Sequence, residues 1–422
     1  MKFNSSKYNQ HWQDRELNDL GVFQRGKSRY RPRNDKALFE NGVHPLVQTG
    51  GIKEANLYIY KHSDAYNDFG LSQSKLWPKY TLCITIAANI AETALLGYPM
   101  CFPDSVVGFN AYKTESSELF MHYVFTYIRK AIQNSASGSI QDNINIDYLT
   151  KLKFKIPNKT YQDKITSILS ILDTKIELNN RINTELEAMA KTLYGYWFVQ
   201  FDFPDQNGKP YKSSGGKMVY NETLKRDIPE DWNSENILAV AELLGGGTPS
   251  KKKPEYWNGE IPFFTPTDAD SNIFKITTDE FITDEGVRNC SSKLFEQGTI
   301  FITARGSVGK LMVAANDMAM NQSCYALQAK KGISHVYLYH LTMDLIHYLK
   351  VKSSGSVFNS IVSNDIKHTP LAIPQVDIVQ KYSRKAEPAF KKILLNTKEN
   401  QQLTQLRDWL LPMLMNGQVT VK

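Results

Sequence analysis

Ile176-Glu-Leu-Asn179-Asn-Arg-Ile-Asn183 and Ile393-Leu-Leu-Asn396-Thr-Lys-Glu-Asn400 are one segment written twice, 217 residues apart. Around the first, no proline occurs from Thr160 to Trp197, and Ile165, Leu169, Leu172, Ile176, Leu186, Leu193 and Trp197 recur in three- and four-residue steps. That spacing predicts a long helix with a coiled-coil seam, not merely an amphipathic face. Around the second copy the seam runs through Tyr382, Ala386, Ala389, Ile393, Leu403, Leu410 and Leu414. Asn179, Asn183, Asn396 and Asn400 sit in the seams. A buried asparagine there costs stability but fixes register, because a slipped pairing leaves its amide unsatisfied; asparagines at the seam's edge, in water, are the plainer reading. If the two helices pack antiparallel, Asn179 faces Asn400 and Asn183 faces Asn396.

The same offset extends outward without a gap. It carries Ser137-Gly138-Ser139 to Ser354-Gly355-Ser356, Ile144 to Ile361, Leu149 to Ile366, Phe154 to Leu371 and Ile156-Pro157 to Ile373-Pro374. Pro45 maps to Pro262 likewise, Thr81–Thr85 matches Thr299–Thr303 at 218, and Trp12 matches Trp232 at 220. Register kept over most of a chain is the mark of a tandem duplication. Within each copy, short apolar runs such as Tyr80–Ile86 and Gly298–Thr303, broken by Gly, Pro, Asn and Asp, read as strands and turns. A helix over Ser117–Gln133 or Ser334–Lys352 follows, then an extended Ile-Pro stretch. The expected fold is α+β. Two tandem α/β domains (1–158 and 233–375) alternate with two long helices (159–200 and 376–422) forming an antiparallel coiled coil, a pseudo-two-fold internal repeat. An exposed, turn-rich connector (201–232) joins the copies. Each helix would span on the order of 55 Å, which suits holding two heads a fixed distance apart.

The 422 residues, 41% hydrophobic and 22% charged, are those of a soluble protein with real cores. No apolar run is long enough to span a membrane, and no secretory signal opens the chain, so a cytoplasmic protein is expected. Cys83, Cys101, Cys290 and Cys324 form no Cys-x-x-Cys pair and read as small buried hydrophobes. The net charge of +7 permits a polyanionic partner without establishing one.

Catalytic signatures fail one by one. No Pro-Pro dipeptide exists, so the Asp/Asn-Pro-Pro-aromatic motif of amino-methyltransferases is missing. Gly306-Ser307-Val308-Gly309-Lys310 looks like a phosphate loop, but Ala304 and Leu311 occupy the positions of its upstream glycine and its Ser/Thr. Gly245-Gly-Gly-Thr-Pro249 is followed by no helix start, against a dinucleotide fingerprint. His340, Asp344 and His347 would share a helix face as in a metal site, yet their repeat partners are Tyr123, Tyr127 and Lys130. Asp205 with Lys209 resembles a nuclease cluster but has no second acid at useful spacing. No metal ligand set and no catalytic residue is assigned.

Basic and amide side chains suggest DNA contact instead. Arg25, Lys27, Arg29, Arg31 and Arg33 lie in a loop-like stretch with Gly, Ser and Tyr. The corresponding place in the second copy holds Thr248, Ser250, Lys251, Lys252 and Lys253. Such groups bridge phosphates or meet guanine edges, although a solvated charge run has the same composition. Arg305, Ser307, Lys310, Asn321 and Gln322 follow the repeated strand, and the Arg/Asn/Gln types can read base edges bidentately. The first copy has Asn89 and Asp104 at the positions of Ser307 and Gln322. Divergence on a shared framework is what readers of two different half-sites need.

Ile176–Asn183, Leu193-Tyr-Gly-Tyr-Trp-Phe-Val-Gln-Phe-Asp-Phe-Pro204, Ile228-Pro-Glu-Asp-Trp232, Gly246-Gly-Thr-Pro-Ser-Lys251, Pro254-Glu-Tyr-Trp257 and Leu411-Pro-Met-Leu-Met-Asn-Gly417 together resemble the specificity subunits of type I restriction–modification systems. The resemblance covers nearly the whole chain. It implies two target-recognition domains, each reading half of a split site in double-stranded DNA. It also implies long helices that space the halves and dock two methyltransferase (modification) subunits, with restriction/translocase subunits added. S-adenosylmethionine, ATP and Mg would belong to those partners, with none bound by this chain. One departure from the family pattern is the absence of a Gly-Gly-Thr-Pro loop in the first domain. A stand-alone DNA-modifying enzyme and a coiled-coil scaffold without DNA binding are the competing readings.

Overall fold

The computed structural model describes residues 2–137, 144–352 and 360–421, so of the two Ser-Gly-Ser turns all but Ser137 lie outside the described residues. The fold is α+β and divides into two compact units, Met1–Leu178 with Asn400–Lys422, and Asn179–Glu399. Each unit therefore includes part of both long helices. No helix among the described residues is long and apolar enough to cross a membrane.

In the first unit, β1 (Gly21–Arg25), β2 (Tyr58–Ile59), β3 (Leu82–Thr85), β4 (Thr93–Leu96) and β5 (Val106–Ala111) form a sheet in the order β1-β5-β3-β4-β2. Every residue of β3 and β4 is buried, because both faces of the sheet are covered. This is why these strands read as continuous apolar runs without alternation. On one face Leu82, Ile84, Val107 and Phe109 pack against Phe120, Val124 and Ile128 of helix α1 (Glu118–Ser137). On the other, Cys83, Leu96 and Val106 meet Trp77 and Phe102.

The second unit repeats the plan. Its strands β6 (Ala241–Gly245), β7 (Phe274–Lys275), β8 (Ile300–Thr303), β9 (Leu311–Ala314) and β10 (Cys324–Ala329) run in the order β6-β10-β8-β9-β7, followed by helix α3 (His335–Lys352). Identical strand order in both units is independent support for the duplication. Cys83, Cys101 and Cys324 are buried, and burial pushes the thiols of Cys101 and Cys324 up to about 11 and 12. They act as hydrophobes, as their surroundings suggest.

The glycine-rich stretch that looks like a phosphate loop is the β8–β9 hairpin. Thr303 Oγ1 closes it by accepting from Lys310 N at 2.9 Å, as Thr85 Oγ1 accepts from Glu92 N at 3.0 Å between β3 and β4. Gly306 and Gly309 have φ of 77° and 79°, where the first unit places Ala88 and Ala91 at 62° and 60°. Left-handed alanine is strained by about 1–2 kcal/mol, and Ala88 is exposed. Ala88→Gly should therefore raise stability by about 0.5–1 kcal/mol and Gly306→Ala lower it by about 1 kcal/mol. Urea unfolding measures both, and equal signs would contradict the shared loop geometry.

The long helices are α2 (Lys159–Tyr194) and α4 (Val376–Met415). In the second unit the α2 and α4 segments run antiparallel: Asn396 Nδ2 donates to Asn183 Oδ1 at 2.8 Å, and Tyr382 OH donates to Ala190 O at 3.4 Å. Asn179 Nδ2 donates to Glu399 Oε2 at 2.8 Å, and Asn400 belongs to the other unit. In the first unit Arg407 meets Asp173 while Tyr161 OH donates to Val419 O, which is again antiparallel. Asn183 and Asn396 are buried. Asn396→Leu leaves the Asn183 amide without this donor and should cost about 1–3 kcal/mol. Leucine at both positions should recover part of that loss, and a double-mutant coupling below about 0.5 kcal/mol would show that the pair is incidental.

The connector differs from expectation. Its turns are present, but Phe201, Asp202 and Phe203 are buried. Phe203 stacks between Tyr211 and Trp232 at ring distances of 4.7 and 5.4 Å. Asp202 accepts from Ser213 N and Oγ at 2.7 and 2.6 Å, and Met218–Asn221 pairs with Arg226–Pro229 as a hairpin. Aromatic side chains between turn residues supplied enough apolar area to fold the segment onto the second core.

Candidate nucleic-acid interface

Strand polarity decides which loops meet. In the first unit β5 is antiparallel to both β1 and β3. The chain leaving β1, the chain leaving β3 and the chain entering β5 therefore share one end of the sheet. Arg25 ends β1 and Lys27, Arg29, Arg31 and Arg33 follow it, Asn89 follows β3, and Asp104 precedes β5. In the second unit β10 is antiparallel to β6 and β8. Thr248, Ser250 and Lys251–Lys253 follow β6, Arg305, Ser307 and Lys310 follow β8, and Asn321 and Gln322 precede β10. Every candidate contact residue read from the sequence thus stands at this end of its own sheet.

Close backbone packing holds each loop cluster. Gly26 N donates to Val106 O at 2.9 Å, and Gly247 N donates to Met320 O at 3.1 Å. A Cβ on Gly26 would lie 2.2 Å from Pro103 O, and one on Gly246 would lie 2.1 Å from Asn321 O. Gly26 thus does in the first unit what Gly246 does in the second. The first domain lacks the Gly-Gly-Thr-Pro sequence but keeps the glycine that the packing requires.

Several of the cations already have partners. Arg33 reaches both oxygens of Asp104 at 2.8 and 2.9 Å, with Arg31 at 3.7 Å. Lys310 Nζ donates to Ala269 O at 2.8 Å. Lys251 pairs with Glu280 and lies 4.7 Å from the Trp257 ring centroid. Lys253 Nζ donates to Tyr256 OH at 2.9 Å. Thr248 and Gln322 are hydrogen-bonded through their side chains, and Asn321 Oδ1 accepts from Ser323 N at 3.0 Å. Among the described residues Arg25, Lys27, Arg29, Lys252 and Arg305 make no ion pair, and all but the half-buried Lys27 are exposed. Free guanidinium and ammonium groups beside hydrogen-bonded amides are the ingredients of phosphate and base-edge contact.

The supposed catalytic groups are accounted for structurally. His340 is buried, with Nδ1 3.0 Å from Val336 O and 3.2 Å from Tyr382 OH. Desolvation holds it down at about 4, so the imidazole is neutral. Asp344 accepts from Tyr194 OH at 2.8 Å, and burial raises its pKa. No cluster of three potential metal ligands occurs among the described residues. Asp205 Oδ1 accepts from Asn207 N and Lys209 N, both at 2.8 Å, and so forms a turn.

One further match between the two copies stands beside these loops. Ser74-Lys75-Leu76-Trp77 and Ser292-Lys293-Leu294-Phe295 correspond at an offset of 218, and both come to the same sheet end as the loops above.

Comparison with known proteins follows the same division. The model of the type I restriction modification DNA specificity domain matches residues 9–188 and again 229–405. The specificity subunit of type I restriction enzyme HindI from Haemophilus influenzae is 25% identical over 341 residues, covering 69% of this chain and 74% of that one. That of MjaIX from Methanocaldococcus jannaschii is 24% identical over 354 residues, covering 82% and 79%. Among solved structures, the S subunit of a type I restriction–modification system from M. genitalium aligns with a TM-score of 0.60 at 16% identity, covering 98% of this chain and 99% of that one.

Proposed function

This chain belongs to the family of type I restriction–modification DNA specificity proteins, and from that premise we propose that it selects the target sequence for a cytoplasmic modification and restriction complex. Each unit reads one half of a bipartite site in double-stranded DNA. The chain itself is non-catalytic. Two methyltransferase subunits dock on it, with restriction subunits joining them, and these partners carry S-adenosylmethionine, ATP and Mg.

One observation supports this reading above the others: two copies of one loop framework carry different side chains at the same end of equivalent sheets. Where the first unit sets Arg33 against Asp104, the second sets Thr248 against Gln322. Asn89 in the first hairpin is replaced by Ser307 in the second. Equivalent scaffolds with unlike polar tips suit two unlike half-sites.

Mapping genomic methylation with and without this gene tests the proposal. Loss of a single split motif is the expected result, and an unchanged methylome would overturn it. Methyl transfer from labelled S-adenosylmethionine by the purified chain alone would instead make it an enzyme. Absence of salt-dependent DNA binding, even with methyltransferase subunits present, would make it a scaffold.

A further inference from the structure

Ser74-Lys75-Leu76-Trp77 and Ser292-Lys293-Leu294-Phe295 are built alike. The aromatic residue is the anchor: Trp77 and Phe295 are 1% and 2% exposed. Trp77 stacks on Phe102 with ring centroids 4.6 Å apart, and Phe295 meets Phe301 edge-on at 5.7 Å. Each anchor pairs across its strand with a methionine at the same offset, Trp77 with Met100 and Phe295 with Met318. The serine is the pin. Ser74 Oγ donates to Lys27 O at 2.9 Å, and Ser292 Oγ donates to Met320 O, also at 2.9 Å. Between pin and anchor stand a lysine and a leucine. Leu76 and Leu294 are 42% and 47% exposed, and Lys293 is exposed as well.

Neither lysine makes an ion pair among the described residues. Lys75 Nζ donates to Gln24 Oε1 at 2.6 Å and lies 3.8 Å from the Trp77 ring centroid. Burial, with Lys27 nearby, lowers its pKa from the ordinary value, as expected where cations gather without an acid. An isolated surface lysine needs no explanation. This one is different because the surrounding positions have diverged: Gln24 corresponds to Leu244, and Lys27 to Gly247. Positions that read bases must differ between two unlike half-sites. A position held constant between them suits a contact indifferent to sequence, and the phosphate backbone supplies that contact.

We propose that Lys75 and Lys293 each grip a DNA backbone phosphate at their half-sites, with Leu76 and Leu294 lying against the adjoining deoxyribose. The proposal rests on the DNA-reading function above. It assigns register on the duplex to this repeated tetrapeptide and leaves base choice to the loops that differ.

Fluorescence anisotropy of the full chain on a mixed-sequence duplex, at salt from about 50 to 200 mM, tests it. Lys75→Gln and Lys293→Gln should each reduce the slope of log affinity against log salt by about 0.9, and the double variant by about twice that. Lys79→Gln, before β3 at the opposite end of the first sheet, should leave the slope unchanged. The exposure of Lys293 keeps its variant free of folding effects even if Lys75→Gln disturbs the packing on Trp77. Salt-dependent binding by the wild type with unchanged slopes in both variants would overturn the assignment of these lysines. An equal drop for Lys79→Gln would do the same. Wild-type chain that shows no salt-dependent binding, even with methyltransferase subunits added, would overturn the DNA-reading function itself.

Discussion

Arg407→Leu should destabilise the first unit by about 3–5 kcal/mol, the range for breaking a buried ion pair from one side. Asp173 is only 3% exposed. Its Oδ1 accepts from Arg407 Nη1 at 2.8 Å and its Oδ2 from Tyr123 OH at 2.6 Å. Without the guanidinium, the carboxylate keeps the tyrosine as its hydrogen-bond partner but has lost its countercharge in a site closed to water. Leucine at both 173 and 407 should recover part of the loss, since apolar replacement of a whole buried pair is often neutral or better, while the buried Tyr123 OH is left without its acceptor. The second unit already uses such a solution. The offset of 217 places His340, Phe390 and Ala190 at the positions of Tyr123, Asp173 and Arg407, and all three are buried, with the His340 and Phe390 rings 5.6 Å apart. Urea unfolding of the single and double variants decides the matter. A single variant within about 0.5 kcal/mol of wild type would mean that water reaches Asp173.

This triad also marks the limit of what the sequence discloses. Asparagines in a heptad-like seam carry their meaning locally, so the long helices and the Asn183–Asn396 contact follow from spacing and antiparallel pairing. The strands Leu82–Thr85 and Ile300–Thr303 are legible because continuous apolar runs bounded by turn residues suit a sheet covered on both faces. Asp173 and Arg407 are 234 residues apart, and neither has a periodic neighbour that announces the other. Arg31 and Arg33 read as free cations for the same reason, since Asp104 joins them only through the order of β1 and β5. The repeat offset itself changes, being 220 at β1 and β6 and 217 at the long helices. Loops of unequal length absorb the difference, and the Ser-Lys-Leu-aromatic match at 218 is four residues long, so it acquires meaning only where the fold pins both copies beside the loops.

Gly26→Ala and Gly246→Ala should each disable one half of the reading surface and leave the other intact. A methyl on Gly246 would sit 2.1 Å from Asn321 O and 2.6 Å from Met320 O; on Gly26, 2.2 Å from Pro103 O and 2.6 Å from Phe102 O. All four obstacles are main-chain carbonyls, so no rotamer change relieves the contact. The two loops must move apart by about an ångström, at a cost of about 3 kcal/mol. In the first unit that movement weakens the Gly26–Val106 hydrogen bond and carries Arg25–Arg33 away from Asp104. In the second it separates Thr248 from Gln322. DNA affinity should fall about tenfold or more for each variant, the loss expected when contacts worth about 1–3 kcal/mol apiece are misplaced. Methylation mapping in cells carrying each variant gives the sharper reading, because relaxed selection should appear in a different half of the split motif for each glycine. Gly245→Ala is the control: its added methyl meets nothing within 4 Å, and its effect should stay within about 0.5 kcal/mol. If both glycine variants kept wild-type affinity and an intact motif, the close packing at this end of the sheets would have no part in reading DNA.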